Sequence, residues 1–566
     1  MQQPAEVFDA IVVGSGISGG WAAKELCEQG LRTLVLERGR NVVHQKDYPT
    51  AQMHPWEFKY RGRMSREFYE QNPLISKAAG FGADTAHFFI QDKDHPYVQQ
   101  KPFDWIRGYQ VGGKSLTWGR ACQRWSDYEF TAPHRDGYGI EWPIGYNDVA
   151  PWYSHVEKFI GVCGTKDGIE AMPDGEFLPP FDFNCVEKHM HKVVQEHFPD
   201  RHLVHARWAH LTEPEEIHLQ QGRGKCQARN LCMRGCPFGG YFSSVSSTLP
   251  WADKTGNLTI RPFSVVHSVR YNEDTGRASG VKVIDTNTHE EFIYEARIIF
   301  LNASALNTNL ILLNSNSSRF PHGLGNDNGL LGTHIGFHLY RGSVSGRMPG
   351  FGDSYMYGFN PSEPILANFR NLKRQEMDFV GGYTTFCGAY RERKHHLPDS
   401  EVQIGADFKH AVSEAGDWYI YMYMQGETIP KKGNRVFLSA DKKDQWGIPL
   451  LVTEVGYDEN DEKMLADFLE QGTEMLEKFG CTDIRTRDSG QAPGLDIHEM
   501  GGVRMGKDPG DSLLNEWNQL HLCKNVFVTD GACMTSTGNQ SPSILYMALT
   551  ARAANFAAKE FKQGRL

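Results

Sequence analysis

Apolar and polar positions alternate in three distinguishable textures along the chain. The first is the run Ala10 to Val13, unbroken and apolar, which predicts a buried parallel strand. A glycine-rich turn follows with Gly14, Gly16 and Gly19. Trp21, Ala22 and Leu26 then fall on one stripe, so a helix is expected, ending at Gly30 as a C-cap. "RTLVLE" returns to a strand that ends at Glu37. Residues 40–105 are rich in His, Pro, Tyr and Phe with weak periodicity and read as irregular excursions; "GYQVGGKSLTWGRAC" (108–122) is glycine-rich.

The second texture is a meander. "TIRPFSVVHSVRY", "EDTGRASGVKVIDT" and "EARIIFLNAS" are strand patterns separated by turns, and Leu306, Leu310 and Leu313 have helical spacing. From about 335 to 455 aromatic runs dominate. "EVQIGADF", "DWYIYMYMQGE" and "NRVFLSA" predict a second, mostly antiparallel sheet. "DENDEKMLADFLEQGTEMLEKFG" (458–480) is an amphipathic helix with Gly480 past its end. No internal repeat or low-complexity linker interrupts this order.

Composition narrows the class. Apolar residues make up 40% and charged residues 23% of 566 positions, which is the balance of a folded globular chain. A net charge of −10 argues against a nucleic-acid footprint, which needs a basic face. Eleven cysteines are an odd and sparse set, unlike a secreted disulfide scaffold. "MQQPAEVFDAIVVGSG" has no basic region followed by an apolar run and cleavage site, so no signal peptide is expected. No run of eighteen apolar residues suggests a membrane span. The default expectation is the cytoplasm, with export alongside a signal-bearing partner as the alternative.

The G-x-G-x-x-G pattern follows a predicted strand, opens a helix and precedes an acidic strand end. In that context it predicts a dinucleotide site. Gly14 permits the turn, Gly16 lets the backbone approach a pyrophosphate, and Gly19 allows close helix–strand packing. The helix N-terminus offers N–H donors to phosphate. Glu37 can accept from ribose hydroxyls. FAD and NAD both suit this unit. The C-terminal "NVFVTDGACMTSTGNQSPSILYMALTARAANF" (525–556) favours FAD, whose long chain takes contacts from two distant segments.

Taken with "VGGKSLTWG", "LNASALNTNLILLNS" and "HEMGGVRMG", these motifs resemble the glucose–methanol–choline (GMC) flavoprotein oxidoreductases over nearly the whole chain. The resemblance implies an α/β fold: a doubly wound FAD-binding domain and a discontinuous substrate domain on an antiparallel sheet. The expected FAD-binding segments are 1–50, 106–125, 205–335 and 490–566. The substrate-binding segments are 51–105, 126–204 and 336–489. Contacts to the cofactor are expected from Gly14, Gly16, Ile17, Ser18, Gly19, Glu37, Arg38, Gly112, Gly113, Ser115, Val266, Ala303, Asp530, Gly531 and Asn539. Thr117 stands where pyranose oxidases carry a flavin-linking histidine, so FAD is expected to be non-covalent.

The same resemblance assigns His498 as the base and Asn539 as the group that orients the substrate oxygen. An imidazole titrates near working pH and can take a hydroxyl proton, while an amide can stabilise an alkoxide-like oxygen. The plainer readings are a structural histidine and a helix N-cap before Pro542. The Asn at the second place resembles the pyranose oxidase and sugar dehydrogenase branch. Oxidation of a sugar or glycoside hydroxyl is expected, first at C3 of glucosides. A sugar oxidase using oxygen, a gluconate or sorbitol type of dehydrogenase, and a non-catalytic flavin- or zinc-binding partner subunit stand beside it.

Cys226, Cys232 and Cys236 crowd into "KCQARNLCMRGCP". Three soft thiolates suit a soft metal, but zinc and 4Fe–4S clusters ordinarily take four ligands. Their spacing resembles the catalytic subunits of FAD-dependent sugar dehydrogenases that carry a 3Fe–4S cluster between flavin and a cytochrome partner, with a small partner subunit alongside. Zinc completed by His210 or His218, and plain thiols, are the other readings. The pair His395–His396 is assigned no role, and Trp418, Tyr419 and Tyr421 are read as strand core before sugar site.

Overall fold

The computed structural model describes residues 8–354, 361–392 and 404–566. His395–His396, the opening of "EVQIGADF" (401–403) and residues 1–7 lie outside the described residues.

Strand β1 (Phe8–Val13), helix α1 (Ile17–Glu28) and β2 (Thr33–Leu36) form the βαβ unit, β1 and β2 running parallel with Val13 opposite Leu36. β1 and β2 are almost wholly buried, as strands covered on both faces must be. The chain returns with β3 (Leu258–Arg261), parallel to β2. A meander follows: β4 (Ser264–Asn272), β5 (Arg277–Asp285) and β6 (Glu291–Leu301). β6 does two jobs. Its first half alternates exposed and half-buried residues and pairs antiparallel with β5; its second half is apolar, buried and parallel to β1. Helix α2 (Ala305–Leu313) leaves its end.

The chain then builds a second sheet from β7 (Gly342–Met348), β8 (Tyr383–Arg391), β9 (Trp418–Glu427) and β10 (Thr482–Asp488), in the order β10–β7–β9–β8. All these pairs are antiparallel. Short strands Ile365–Leu366 and Leu203–Val204 extend it beyond β8, and His338–Leu339 pairs with the end of β9. Trp418, Ile420, Met422 and Met424 alternate inward from β9. Helix α3 (Glu459–Phe479) covers them with Met464, Leu465, Phe468 and Met475. Asp458 caps its start, and Gly480 ends it in the left-handed conformation. Finally β11 (Cys523–Val528) docks parallel to β6, and helix α4 (Ser543–Lys562) packs on α1.

Two expectations need correction. Gly405–Ser413 is a helix, not part of a strand; Gly405 takes φ +83°, and Ile404 before it is exposed with no partner strand to bury it. "NRVFLSA" is a strand, but it pairs with Pro449–Glu454 in a separate sheet that also takes Val98–Gln99. Among the described residues no helix is long and apolar enough to cross a membrane.

Candidate active site

The turn between β1 and α1 is built by close approach. A Cβ on Gly14 would sit 2.3 Å from the Asn302 carbonyl oxygen, and one on Gly19 only 1.9 Å from that of Gly14. Gly16 differs: a Cβ there would meet nothing within 4 Å. It caps α1 and borders a cavity of about 250 Å³. Gly14, Gly16, Ile17, Ser18, Glu37, Arg38, Gly113, Ser115, Val266, Ala303, Asp530 and Gly531 all line that cavity, as does Thr117. Gly19, Gly112 and Asn539 do not line it. Gly19 instead lets α1 lie against β1, and Gly112, at φ +93°, faces Val245.

Glu37 holds the loops together. Its Oε2 accepts from the Ser15 hydroxyl at 2.5 Å and backbone N–H at 3.2 Å, and its Oε1 from the Gly39 N–H at 3.0 Å. The Ser15 hydroxyl oxygen in turn accepts from the Gly112 N–H. Burial pushes the Glu37 carboxyl above its ordinary pKa. Asp530 accepts from Thr308 Oγ1 at 2.6 Å and from the Ala532 N–H, and burial raises it to about 6. The Arg38 guanidinium lies over the rings of Tyr109 and Trp446 at 4.6 and 4.9 Å.

A long polar cofactor fits this cavity. Buried polar atoms on its lining have no hydrogen-bond partner among the described residues: Arg38 Nε, Arg107 Nε and Nη2, Glu499 Oε1 and the Tyr546 hydroxyl. Such groups are costly unless something hydrogen-bonds to them.

His498 lines the same cavity. Its Nδ1 lies 2.8 Å from Nδ1 of His338, a residue without sequence signal. His338 Nε2 lies 3.1 and 3.0 Å from the carbonyl oxygens of Thr537 and Gly538. Asp496 Oδ2 accepts the backbone N–H of both histidines, at 2.9 and 3.2 Å. The ring of Tyr340 stands 6.2 Å from that of His498. Lys114 Nζ donates to Glu499 Oε2 and to the Ile497 carbonyl beside it. Burial first, then the neighbouring His338 and Lys114, holds His498 well below the ordinary histidine pKa. Ile497 takes φ +66°, a strained conformation for a β-branched residue and one that concentrates at functional sites.

Asn539 is placed differently from expectation. It is fully buried, and its amide nitrogen donates to Glu129 Oε1 at 3.0 Å and Glu427 Oε1 at 3.2 Å. Its Oδ1 accepts from Thr384 Oγ1 at 2.8 Å. With both N–H groups committed to carboxylates, the side chain is not aimed at the cavity. Only its backbone carbonyl leads toward His498, accepting from Gln425 Nε2, whose Oε1 takes the Tyr340 hydroxyl. Burial raises Glu129 to about 8 and Glu427 to about 7. Sequence reasoning missed His338, Glu129, Gln425 and Glu427. Only Glu129 had a local sign, the S-x-x-E capping box of the helix Asp127–Arg135, and it reads as helix chemistry.

The three loop cysteines are free and half-buried. Cys226 Sγ lies 3.7 Å from His210 Nδ1, and Cys236 Sγ accepts from the Gly240 N–H at 3.4 Å. Burial raises the Cys226 thiol to about 11 and lifts that of Cys232 as well. Among the described residues the one trio of such groups converging within 4.8 Å is His338, Asp496 and His498, so the three sulfurs stand wider than a single ion needs. His218 is no ligand either, because both its ring nitrogens are taken by Glu215 and Lys158 backbone. Two buried cations face the loop. Arg120 Nε and Arg223 Nη2 have no hydrogen-bond partner, and neither side chain pairs with a carboxylate among the described residues. Met233, next to Cys232, lines the dinucleotide cavity.

Comparison with known proteins agrees with this geometry. The GMC oxidoreductase family models match residues 8–339 and 430–550. The 2-methyl-1,2-propanediol dehydrogenase of Mycolicibacterium austroafricanum is 25% identical, over 99% of this chain and 97% of that protein. The fructose dehydrogenase large subunit of Gluconobacter japonicus is also 25% identical, over 98% of each. The fold resembles pyridoxine 4-oxidase from Mesorbium loti with a TM-score of 0.57 at 16% identity, covering 98% of this chain and 99% of that one. With a glycine-rich cradle and a half-buried histidine lining one cavity and family models spanning both, the chain belongs to the GMC oxidoreductases.

Proposed function

We propose that this FAD-dependent oxidoreductase is a dehydrogenase for a secondary hydroxyl of a sugar or glycoside, first of all C3 of glucosides. The observation that carries the reading is His498: a half-buried imidazole, held well below the ordinary histidine pKa, lining the same cavity as the glycine-rich cradle. Bound there, FAD supplies the acceptor for the hydride that leaves the carbinol carbon. The backbone at Gly16 and the N-terminus of α1 would take its pyrophosphate, and Arg38 and Val266 its adenosine end. His498 takes the hydroxyl proton, and the O–H electron pair closes the carbonyl as the carbon gives up its hydride with two electrons. Asn539 supports the site from behind, through Gln425 and Tyr340. The likeness to the fructose dehydrogenase large subunit supports a sugar hydroxyl and a partner subunit.

The cysteine loop belongs to the same proposal. Cys226, Cys232 and Cys236 would hold a 3Fe–4S cluster, and Arg120 and Arg223 supply the buried positive charge such an anionic centre calls for. The chemistry it supplies is one-electron delivery to an external acceptor such as a cytochrome. Anaerobic mixing with a panel of glycosides tests the first part: flavin bleaching by glucosides, abolished in His498→Ala, with a 3-keto product by NMR. Bleaching unaffected by His498→Ala refutes it. Peroxide formation in air at the turnover rate would instead assign a sugar oxidase. Iron and acid-labile sulfide per FAD test the second part; about three irons per flavin are expected, and none returns the loop to plain thiols.

A further inference from the structure

We infer that His338 is a positioning residue that fixes the tautomer of His498 and so decides which of its nitrogens is the base. The inference rests on the reading of His498 above and goes one residue deeper.

The assignment follows from the hydrogen-bond network. His338 Nε2 faces only acceptors, the carbonyl oxygens of Thr537 and Gly538, so that nitrogen must carry hydrogen. His338 is completely buried, and among the described residues no carboxylate hydrogen-bonds to its ring, the nearby Asp496 oxygen standing within 4.8 Å and bonded to backbone N–H groups instead. A neutral ring with hydrogen on Nε2 leaves Nδ1 bare. His498 Nδ1, 2.8 Å away, must then be the donor of the pair. That leaves the lone pair of His498 on Nε2, with no hydrogen-bond partner among the described residues, on a residue lining the cavity. Burial holds His338 down to about 4, which keeps it an acceptor at neutral pH.

The scaffold enforces the pair. Asp496 bonds the backbone N–H of both residues through one oxygen, and its other oxygen takes the Gly494 N–H. It therefore sets the two rings side by side without touching either. His338 also sits in register opposite Glu427 on β9, which ties it to the substrate sheet. When His498 accepts the hydroxyl proton it becomes an imidazolium, and His338 Nδ1 stabilises the charged N–H. The path stops there, because beyond His338 lie only backbone carbonyls. The proton is thus held at the site until it leaves by the cavity.

Two substitutions separate this role from simple packing. In His338→Asn the amide oxygen stands near the old Nδ1 and keeps an acceptor for His498. In His338→Gln the amide nitrogen stands near the old Nε2 and keeps the bond to the carbonyls instead. If His338 sets the tautomer, the holoenzyme of His338→Asn retains flavin reduction within a few-fold. His338→Gln loses at least about tenfold in kcat with KM little changed, as misassigned tautomers do in hydrolases, and a solvent isotope effect emerges on flavin reduction as proton removal becomes limiting. A structural role predicts the reverse order, with Gln retained and Asn lost, and no change in isotope effect; that result overturns the inference. His498→Ala is run beside them. If it leaves flavin reduction intact, the base assignment itself is wrong; if it abolishes reduction while both His338 variants behave as the parent, only the tautomer role fails.

Discussion

Gly16 and Gly19 lie three residues apart on the same turn, yet their substitution by alanine should act on different molecules. At Gly19 the new methyl would meet the Gly14 carbonyl oxygen at 1.9 Å. Backbone on both sides must move by more than an ångström to restore contact distance. Replacing a helical glycine by alanine gains about 1 kcal/mol of propensity, but overpacking of this kind costs roughly 1–3 kcal/mol or more, and here the obstacle is backbone. Gly19→Ala should therefore lower the unfolding temperature of the FAD-free protein. At Gly16 the methyl meets nothing and φ is −69°, so the FAD-free protein should lose no more than the roughly 1 kcal/mol by which Ala is the poorer cap. Its cost appears only when a pyrophosphate must occupy the space. An overpacking penalty of about 1–3 kcal/mol on the bound state is a loss of roughly 5- to 150-fold in FAD affinity. Titration of deflavinated protein with FAD, followed by quenching of flavin fluorescence, measures it, and thermal unfolding of the same samples reports the other half. If Gly16→Ala binds FAD as the parent does, the pyrophosphate does not approach this residue and the cradle has been misread.

Three further outcomes follow from buried charge. Glu129 and Glu427 have folded-state pKa values raised by burial to about 8 and 7, so their stabilising protonation is complete below about pH 4.5 and is lost as pH rises through 7 to 8. Glu129→Gln should flatten the fall of unfolding temperature between about pH 4.5 and 8; an unchanged slope refutes the raised carboxyl. Glu25 is depressed to about 2 against its burial by His155 and Lys24, so its contribution is present above about pH 4.5 and lost as pH falls through 2. Glu25→Gln should cost on the order of 3 kcal/mol at pH 7, read by denaturant unfolding. Asn539→Ala should destabilise by about 2–4 kcal/mol, since two buried carboxylates lose their donors, whereas His498→Ala should leave the unfolding temperature near the parent's while removing flavin reduction.

What the sequence discloses here is whatever is local. The βαβ turn is legible because each glycine answers to an atom a few residues away or to the cofactor itself, and α3 is legible because its apolar stripe, Asp458 cap and Gly480 stop lie within one window. The alternation of β9 likewise separates two faces, but the core face is Trp418, Ile420, Met422 and Met424, while Tyr419 and Tyr421, expected in the core with Trp418, stand half-buried on the other. The catalytic neighbourhood is assembled over longer distances. His338 is one of 23 histidines, in a two-residue strand, and meets His498 across 160 positions of chain. Glu427 reaches Asn539 from 112 positions away, and Glu129 from 410. No spacing rule connects them, because what brings them together is the register of the second sheet against the returning C-terminal segment. Asn539 shows the consequence. Its motif marks it as important, and the structure agrees that it is buried and fully bonded, yet the carboxylates that claim its amide turn it from a substrate donor into a keystone behind Gln425 and Tyr340. A motif identifies a position under constraint; only the partners brought from elsewhere in the chain determine whether that constraint is chemical or architectural. For His498 the same test points the other way, since among the described residues its ring makes one hydrogen bond and leaves the other nitrogen free on the cavity wall.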